Sequence, residues 1–466
     1  MSEITDLGPL QLSAAVRDRR LTAEAITRAT LERIETHNAA INAYTRLYAE
    51  DALMAAWTTD RAIAAGRDPG PLAGATFGAK DLYDVAGKIT TAGAKLRANA
   101  APASADAFVV AALKRAGATL LGHQNMDEFA YGFSTENAHS GPTHNPHDRS
   151  RLAGGSSGGS AASVAAGLAS AAIGSDTNGS IRVPAAFCGV FGLKPTFGRL
   201  SRHGVFPFVH SLDHVGPFAR TAADLAALYD VMQGADPLDP GQAHRSIEPA
   251  LPGIADANGL RIAALGGYFR ETGTSEALAA VDVVGQALGA SAKVELPEAH
   301  RARSAAFCLS AAEGGSLHLA DLSERFSEYD PNVGLRLAAG AMLPAGLVMR
   351  AQRFRRWFRD ATAETFSRFD VLLAPATPFA APPIGQAMIE IGGKSMSVRA
   401  NAGLYTQPIS FIGLPVVAVP INAPGQLPVG VQLIGPPWSE ARLLALAHRL
   451  ELAGVVKARL PSELPQ

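Results

Sequence analysis

Apolar positions follow helical spacing through the first 65 residues, then switch to short runs broken by turns. Two amphipathic helices are predicted first, one over Leu10 to Arg20 and one from Thr22 with Ile26, Ala29 and Ile34 on one face. A third covers Tyr48 to Ala65, and Gly66 to Pro71 closes this N-terminal helical segment, residues 1–65, as a loop. Leu72 to Val85 reads as a strand running into a loop, with Lys80 among small and apolar neighbours. Asp106 to Ala116 predicts a helix. Asp106 suits its N-cap, Val109, Ala112 and Leu113 form one face, and Gly117 ends it. Ala118 to Leu121 and Ala171 to Ser175 are buried strand candidates, separated by a helix over Ser157 to Leu168 made almost only of small residues. Thr221 opens a helix reaching Met232.

Further strands are expected at Leu260 to Leu265, Ala292 to Leu296, Val371 to Ala374, Val416 to Val419 and Gly430 to Ile434. Helices fall at Ser304 to Leu322, Pro344 to Phe366 and Ser439 to Leu452, with a frayed tail at 461–466. This strand–helix alternation argues for an α/β layered architecture. Residues 234–259 are loop-rich and carry many prolines, so 235–259 is taken as a surface excursion. No internal repeat or sharp boundary divides the 466 residues, so 1–466 is taken as one domain, with 72–220 holding the chemistry-bearing stretches.

Composition narrows the function class. At 47% hydrophobic and 18% charged the chain suits a large buried core, and a net charge of −1 offers no electrostatic case for nucleic acid or an anionic membrane. Two cysteines, Cys188 and Cys308, make no disulfide framework. The start, Met1 to Asp6, lacks the basic and apolar blocks of a signal peptide, and no apolar run is long enough to span a bilayer. A cytoplasmic location without membrane attachment is the expectation.

The candidate chemistry lies in two loops. Gly154 to Ser160 (GGSSGGS) is by composition a flexible linker, or a phosphate cradle lacking the Lys-Ser or Lys-Thr of a P-loop. Against the linker, it leads directly into an apolar helix. Gly174 to Ser180 follows, and Ser180 precedes a short helix, Ile181 to Phe187, in which Pro184 fits only near the start. Ser180 therefore falls where free amides favour negative charge. A serine nucleophile needs a base, and a lysine can serve when burial favours its neutral amine. Lys80 is a candidate, although such lysines are ordinarily snorkelling surface residues. Ser156 could relay its proton, and the amides of Thr177, Asn178, Gly179 and Ser180 could hold an oxyanion. Nothing in this chemistry calls for a cofactor. Metal-dependent hydrolysis is the rival class; His139, His144 and His147 cluster, and His210 and His214 are close, but no HExxH or comparable ligand set is present.

At these residues the chain resembles the amidase signature family. The resemblance is almost unbroken from Gly122 to Arg220. It includes Gly154 to Ser160, Gly174 to Pro184 (GSDTNGSIRVP), Phe187-Cys188-Gly189, Gly192 to Thr196 (GLKPT) and Ser211-Leu212-Asp213. It implies the amidase signature fold, a mixed central β-sheet sandwiched by helices. It also implies a triad of Ser180 as nucleophile, Ser156 in a cis peptide as bridge, and Lys80 as base, with the oxyanion hole at Thr177 to Ser180. Asn178 departs from the commoner glycine. Assembly as a homodimer or with a small helical partner subunit is implied too.

Two branches of the family are similar. The biuret and carboxybiuret amidohydrolases are favoured by Asn125 to Gly132 (NMDEFAYG), Arg199 to Arg202, Phe206 to His214, Asp236 to Gly241 and Gln352 to Arg356. The glutamine-hydrolysing component of the tRNA-dependent amidotransferase shares Ala351 to Arg355, but the acidic residue that receives glutamine's amino group is replaced near Gly403. A small linear amide or ureide that releases ammonia is the expected substrate, with Met126, Tyr131, His210 and Arg355 as expected contacts. A scaffold with a dead amidase core is the non-catalytic alternative.

Overall fold

A computed structural model describes residues 2–290, 292–422, 425–461 and 464; the remaining positions of the expected tail lie outside the described residues. Eleven strands among them build one mixed sheet. In chain order they are β1 (Tyr44–Leu47), β2 (Thr76–Lys80), β3 (Thr119–Gln124), β4 (Ala171–Asp176), β5 (Phe191–Lys194), β6 (His214–Ala219), β7 (Ile262–Leu265), β8 (Ala292–Val294), β9 (Val371–Pro375), β10 (Val416–Ile421) and β11 (Val429–Ile434). Across the sheet the order is β1-β3-β2-β4-β6-β5-β10-β11-β9-β7-β8. The runs β3-β2-β4 and β9-β7-β8 are parallel and the other neighbours antiparallel.

Every residue of β2, β4, β5 and β6 is buried, as in sheets covered on both faces. Alternate side chains of β4 enter different cores. Ala171 and Ile173 join the cluster containing Leu225 and Leu228 of the helix Ala222–Met232, while Ala172 joins Ala161, Ala162 and Ala165 of the helix Gly158–Ala165. The protein is therefore α/β, a mixed sheet between helical layers. The small residues of Gly158–Ala165 have a packing reason: a Cβ on Gly159 would lie 2.5 Å from the Ala43 carbonyl oxygen and 2.6 Å from the Asn125 amide nitrogen. This close approach sets the 154–158 loop against the end of the sheet.

Some boundaries move. The helix expected from Asp106 starts at Phe108, with Ala107 at its N-cap. The Asp106 carboxylate instead accepts from the Ala86 amide and from Lys114 Nζ, and so is unavailable as a cap. The helix expected over Ser304 to Leu322 is two, Ala299–Leu317 and Leu319–Glu324. The 234–259 excursion forms only a 3-10 turn, Leu251–Gly253, but it is pinned to the body: Asp236 accepts from Ser201 Oγ and Asp239 pairs with Arg202. No single helix among the described residues is long and apolar enough to cross a membrane.

Candidate active site

Lys80 ends β2, is fully buried, and stands beside the loop before Gly158–Ala165. Its Nζ donates to Ser156 Oγ at 2.7 Å and to Ser175 Oγ, on β4, at 2.9 Å. The Gly155–Ser156 peptide is cis. Burial pushes the Lys80 amine down from 10.5 to about 7, against the opposing pull of Asp127, Asp176 and Asp213. The amine is thus close to half neutral near physiological pH and its contacts are hydroxyls, which suits a proton acceptor. The Ser157 amide donates to the Ser180 carbonyl at 3.3 Å, joining the two loops.

The turn from Thr177 to Ser180 follows β4 directly. None of its four backbone amides donates a hydrogen bond within the described residues, whereas buried amides are nearly always paired. Thr177, Asn178 and Ser180 line a cavity of about 230 Å³, so this run of unused donors borders open space. The Ser180 hydroxyl likewise has no hydrogen-bond partner among the described residues. Gly179 has φ +143, and a Cβ there would meet Thr406 Oγ1 at 2.2 Å. Thr406 Oγ1 donates to the Asn178 carbonyl at 2.6 Å, and Thr177 Oγ1 donates to Asp213 at 2.6 Å. The turn is held from both sides while its amides stay free.

Asp176 and Arg182, fully buried, brace the turn across its ends. Arg182 donates twice to the Asp176 carboxylate at 2.9 Å, and also to the Thr406 carbonyl, Gln432 Oε1 and Ser410 Oγ. Burial works to raise the Asp176 carboxyl, but Arg182, with Lys194 and His214, brings it well below the usual carboxylate range. Asp176 also accepts from the Ile181 amide at 3.2 Å, so one carboxylate sets both the start of the following helix and the exit of β4.

The cavity holding Ser180 is walled by Tyr131, Phe133, Phe307, Arg336, Arg399 and Gln407, among others, and no acidic side chain among the described residues lines it. Of the expected substrate contacts Tyr131 lies here. Arg355 does not: its guanidinium donates to the Ser211 carbonyl, beside Glu313, and is spent on joining two elements. Met126 faces a different cavity, with Arg46, Asp81 and His139. His210 lines an adjoining cavity of about 180 Å³ that shares Ala130, Thr177 and Phe208 with the first; His214 borders it too, fixed between the Asp176 carbonyl and Lys194 Nζ. The loop histidines are occupied separately, His139 by Glu128, His144 by the Arg149 carbonyl and His147 by the Cys188 carbonyl.

Arg336 and Arg399 were not legible as site residues from the sequence. Arg336 had one signal, as the sole charged residue in the helix Pro331–Ala341. Its guanidinium lies 3.7 Å from the Tyr131 ring centroid and donates to the Tyr131 carbonyl, with no carboxylate partner among the described residues. Arg399 pairs with Glu136 at 3.3 Å.

The family model described as Amidase matches residues 25–444. The chain is 48% identical over 454 residues to AtzE, the 1-carboxybiuret hydrolase subunit of Pseudomonas sp. (strain ADP), covering 97% of this chain and 99% of that protein. It is 38% identical over 478 residues to a glutamyl-tRNA(Gln) amidotransferase subunit of Carboxydothermus hydrogenoformans, covering 96% and 97%. A solved structure described as a vestigial protein complex that reveals the origins of an s-triazine catabolic enzyme superposes with a TM-score of 0.96 at 47% identity, over 97% of this chain and 100% of that one. A 6-aminohexanoate cyclic dimer hydrolase superposes with a TM-score of 0.88 at 27% identity, over 99% and 100%. With its buried lysine, paired serine loops and unused amides, the chain belongs to the amidase signature family, hydrolases of carbon–nitrogen bonds in amides.

Proposed function

We propose that the protein hydrolyses a small anionic ureide of the carboxybiuret type, releasing ammonia through a Ser180 acyl-enzyme. Lys80, as the neutral amine, takes the proton of Ser156, which in turn takes that of Ser180 as Ser180 Oγ attacks the carbonyl carbon. The amides of Thr177 to Ser180 stabilise the oxyanion. Collapse of the adduct breaks the carbon–nitrogen bond, the relay returns the proton to the leaving nitrogen, and ammonia departs. Water then clears the acyl group by the same relay in reverse.

The observation that carries this reading is the buried Lys80–Ser156 contact beside four amides without partners among the described residues. The anionic class rests on Arg336, which lines the cavity without a described carboxylate partner and suits a substrate carboxylate, with Arg399 as a second cation. Glutamine fits less well. Its ammonium would need an acidic side chain, none of the described residues lining the cavity supplies one, and at Gly403 a Cβ would lie 2.4 Å from the Phe133 ring. The 38% identity to the amidotransferase subunit keeps glutamine in the test.

Ammonia release across carboxybiuret, biuret, allophanate, oxalurate, glutamine and simple amides tests the substrate class. The highest kcat/KM is expected for a ureide bearing a carboxylate; preference for glutamine or a neutral amide sinks it. Ser180→Ala is expected to abolish turnover and the acyl adduct seen by mass spectrometry, and retained activity rejects the nucleophile. The solved relative described as a complex supports assembly with another chain, which light scattering of the purified protein tests.

A further inference from the structure

Between the 125–137 loop and the helix Pro331–Ala341 sits a carboxyl group that the reaction does not use. Glu128 is fully buried. One of its oxygens accepts from the Asp330 amide at 2.8 Å, immediately before the helix that carries Arg336; the other lies 2.9 Å from His139 Nε2. Asp330 caps that helix by accepting from the Asn332 amide and reaches back to the loop by accepting from the Ala138 amide. Immediately beyond Glu128, the chain makes an unusual turn: Phe129 and Ala130 have φ of +51 and +59, a left-handed conformation that non-glycine residues adopt only when their surroundings impose it. The turn ends on Tyr131, whose carbonyl and ring both receive the Arg336 guanidinium. Phe129 packs against His318, with ring centroids 4.1 Å apart, and against Tyr329, filling the space between the same segments.

We propose that Glu128 is a positioning residue for the carboxylate subsite: it ties the Arg336 helix to the strained turn bearing Tyr131, and so sets where the Arg336 guanidinium stands in the cavity. The proposal rests on the reading of Arg336 as the substrate's carboxylate partner. Sequence spacing hides the device, because its two halves are 202 residues apart. Burial pushes the Glu128 carboxyl up to about 8 despite the Asp330 amide that donates to it, so near neutral pH it acts as an uncharged hydrogen-bonding group. Glutamine is therefore its conservative replacement.

Steady-state kinetics of Glu128→Ala, Glu128→Gln, Arg336→Ala and the Glu128→Ala/Arg336→Ala double variant, with carboxybiuret and its neutral counterpart biuret, test it. Glu128→Ala is expected to raise KM for carboxybiuret about tenfold with little change in kcat, leaving biuret turnover near the parent value. Glu128→Gln should restore the parent KM, and the double variant should be no worse than Arg336→Ala. Equal losses on both substrates, or losses in kcat alone, make Glu128 merely structural and overturn the proposal. If Arg336→Ala discriminates between the substrates while Glu128→Ala does not, the subsite stands and the positioning role falls. If Arg336→Ala does not discriminate, the subsite and the positioning role fall together. Should Glu128→Ala fail to fold, His139→Ala, which removes the partly exposed side chain holding the other Glu128 oxygen and so loosens the carboxyl that anchors the Asp330 amide, is expected to give a smaller KM rise of the same kind; an unchanged KM there overturns the proposal.

Discussion

Two lysines, Lys80 and Lys194, close strands β2 and β5, which run in the same direction and end on the same side of the sheet. Both are fully buried, and burial brings both amines down to about 7. Their partners differ. Lys80 contacts two hydroxyls, one of them Ser156, and is surrounded by carboxylates that favour its charge. Lys194 contacts the Pro195 carbonyl and His214 Nε2; Arg182 adds its repulsion to the burial, while Asp176 and Glu440 favour its charge as carboxylates do at Lys80. A depressed proton affinity is common to both and so does not identify the base. What distinguishes Lys80 is its contact with Ser156 Oγ in the Gly154 to Ser160 loop, the contact on which the proposed proton relay depends.

The largest expected effect tests this contrast directly. Lys80→Met should lower kcat by about 10²–10⁴-fold in ammonia release, the range for losing a general base. Turnover near the parent value would leave the two lysines equivalent. Next in size is the brace that both lysines border. Arg182→Met leaves the Asp176 carboxylate buried without its counter-charge, and urea unfolding should show a loss of about 3–5 kcal/mol.

A smaller effect tests, through pH, the depressed proton affinity that the two lysines share. An amine whose proton affinity is depressed by folding carries its full burial penalty below the folded value of about 7. The penalty fades as pH rises toward the unfolded value of 10.5, because the unfolded chain binds more protons throughout that window. Lys80→Met should therefore gain more stability relative to the parent at pH 6.5 than at pH 9. In the parent, kcat/KM should rise with pH through an apparent value near 7 as Lys80 loses its proton; a flat profile in that range weighs against it. The smallest effect is that of Lys194→Met, which should leave kcat within the same order of magnitude. A collapse of kcat with intact circular dichroism would make Lys194 part of the chemistry.

Much of the site was legible because its chemistry is local. The loop Gly154 to Ser160 and the turn Gly174 to Ser180 are contiguous stretches whose glycines and small residues allow tight turns and close backbone approach. The wall of the cavity at Ser180 was less legible because it is assembled from distant segments. Arg355 and Arg336 both lie on amphipathic helices, and periodicity does not say which guanidinium a neighbouring carbonyl will take up. The Ser211 carbonyl takes Arg355 outside this cavity, whereas the carbonyl that takes Arg336 is that of Tyr131, itself on the cavity wall. Met126 was misplaced for a similar reason: it shares a loop with Tyr131, but the left-handed turn at Phe129 and Ala130 sends the two residues to different cavities.

The amino-acid sequence by itself determined the alternation of strands and helices, the small-residue helix that lets the serine loop approach the sheet, and the donor-rich turn at Thr177 to Ser180. These follow from side-chain size and backbone freedom over a few neighbouring residues. Only the tertiary structure decided that Lys80 is buried against Ser156 rather than snorkelling to water, that Asp176 and Arg182 satisfy one another, and that Arg336 meets no carboxylate among the described residues. The physical reason is that charge and proton affinity depend on what distant segments bring within a few ångströms, and the local sequence does not carry that information.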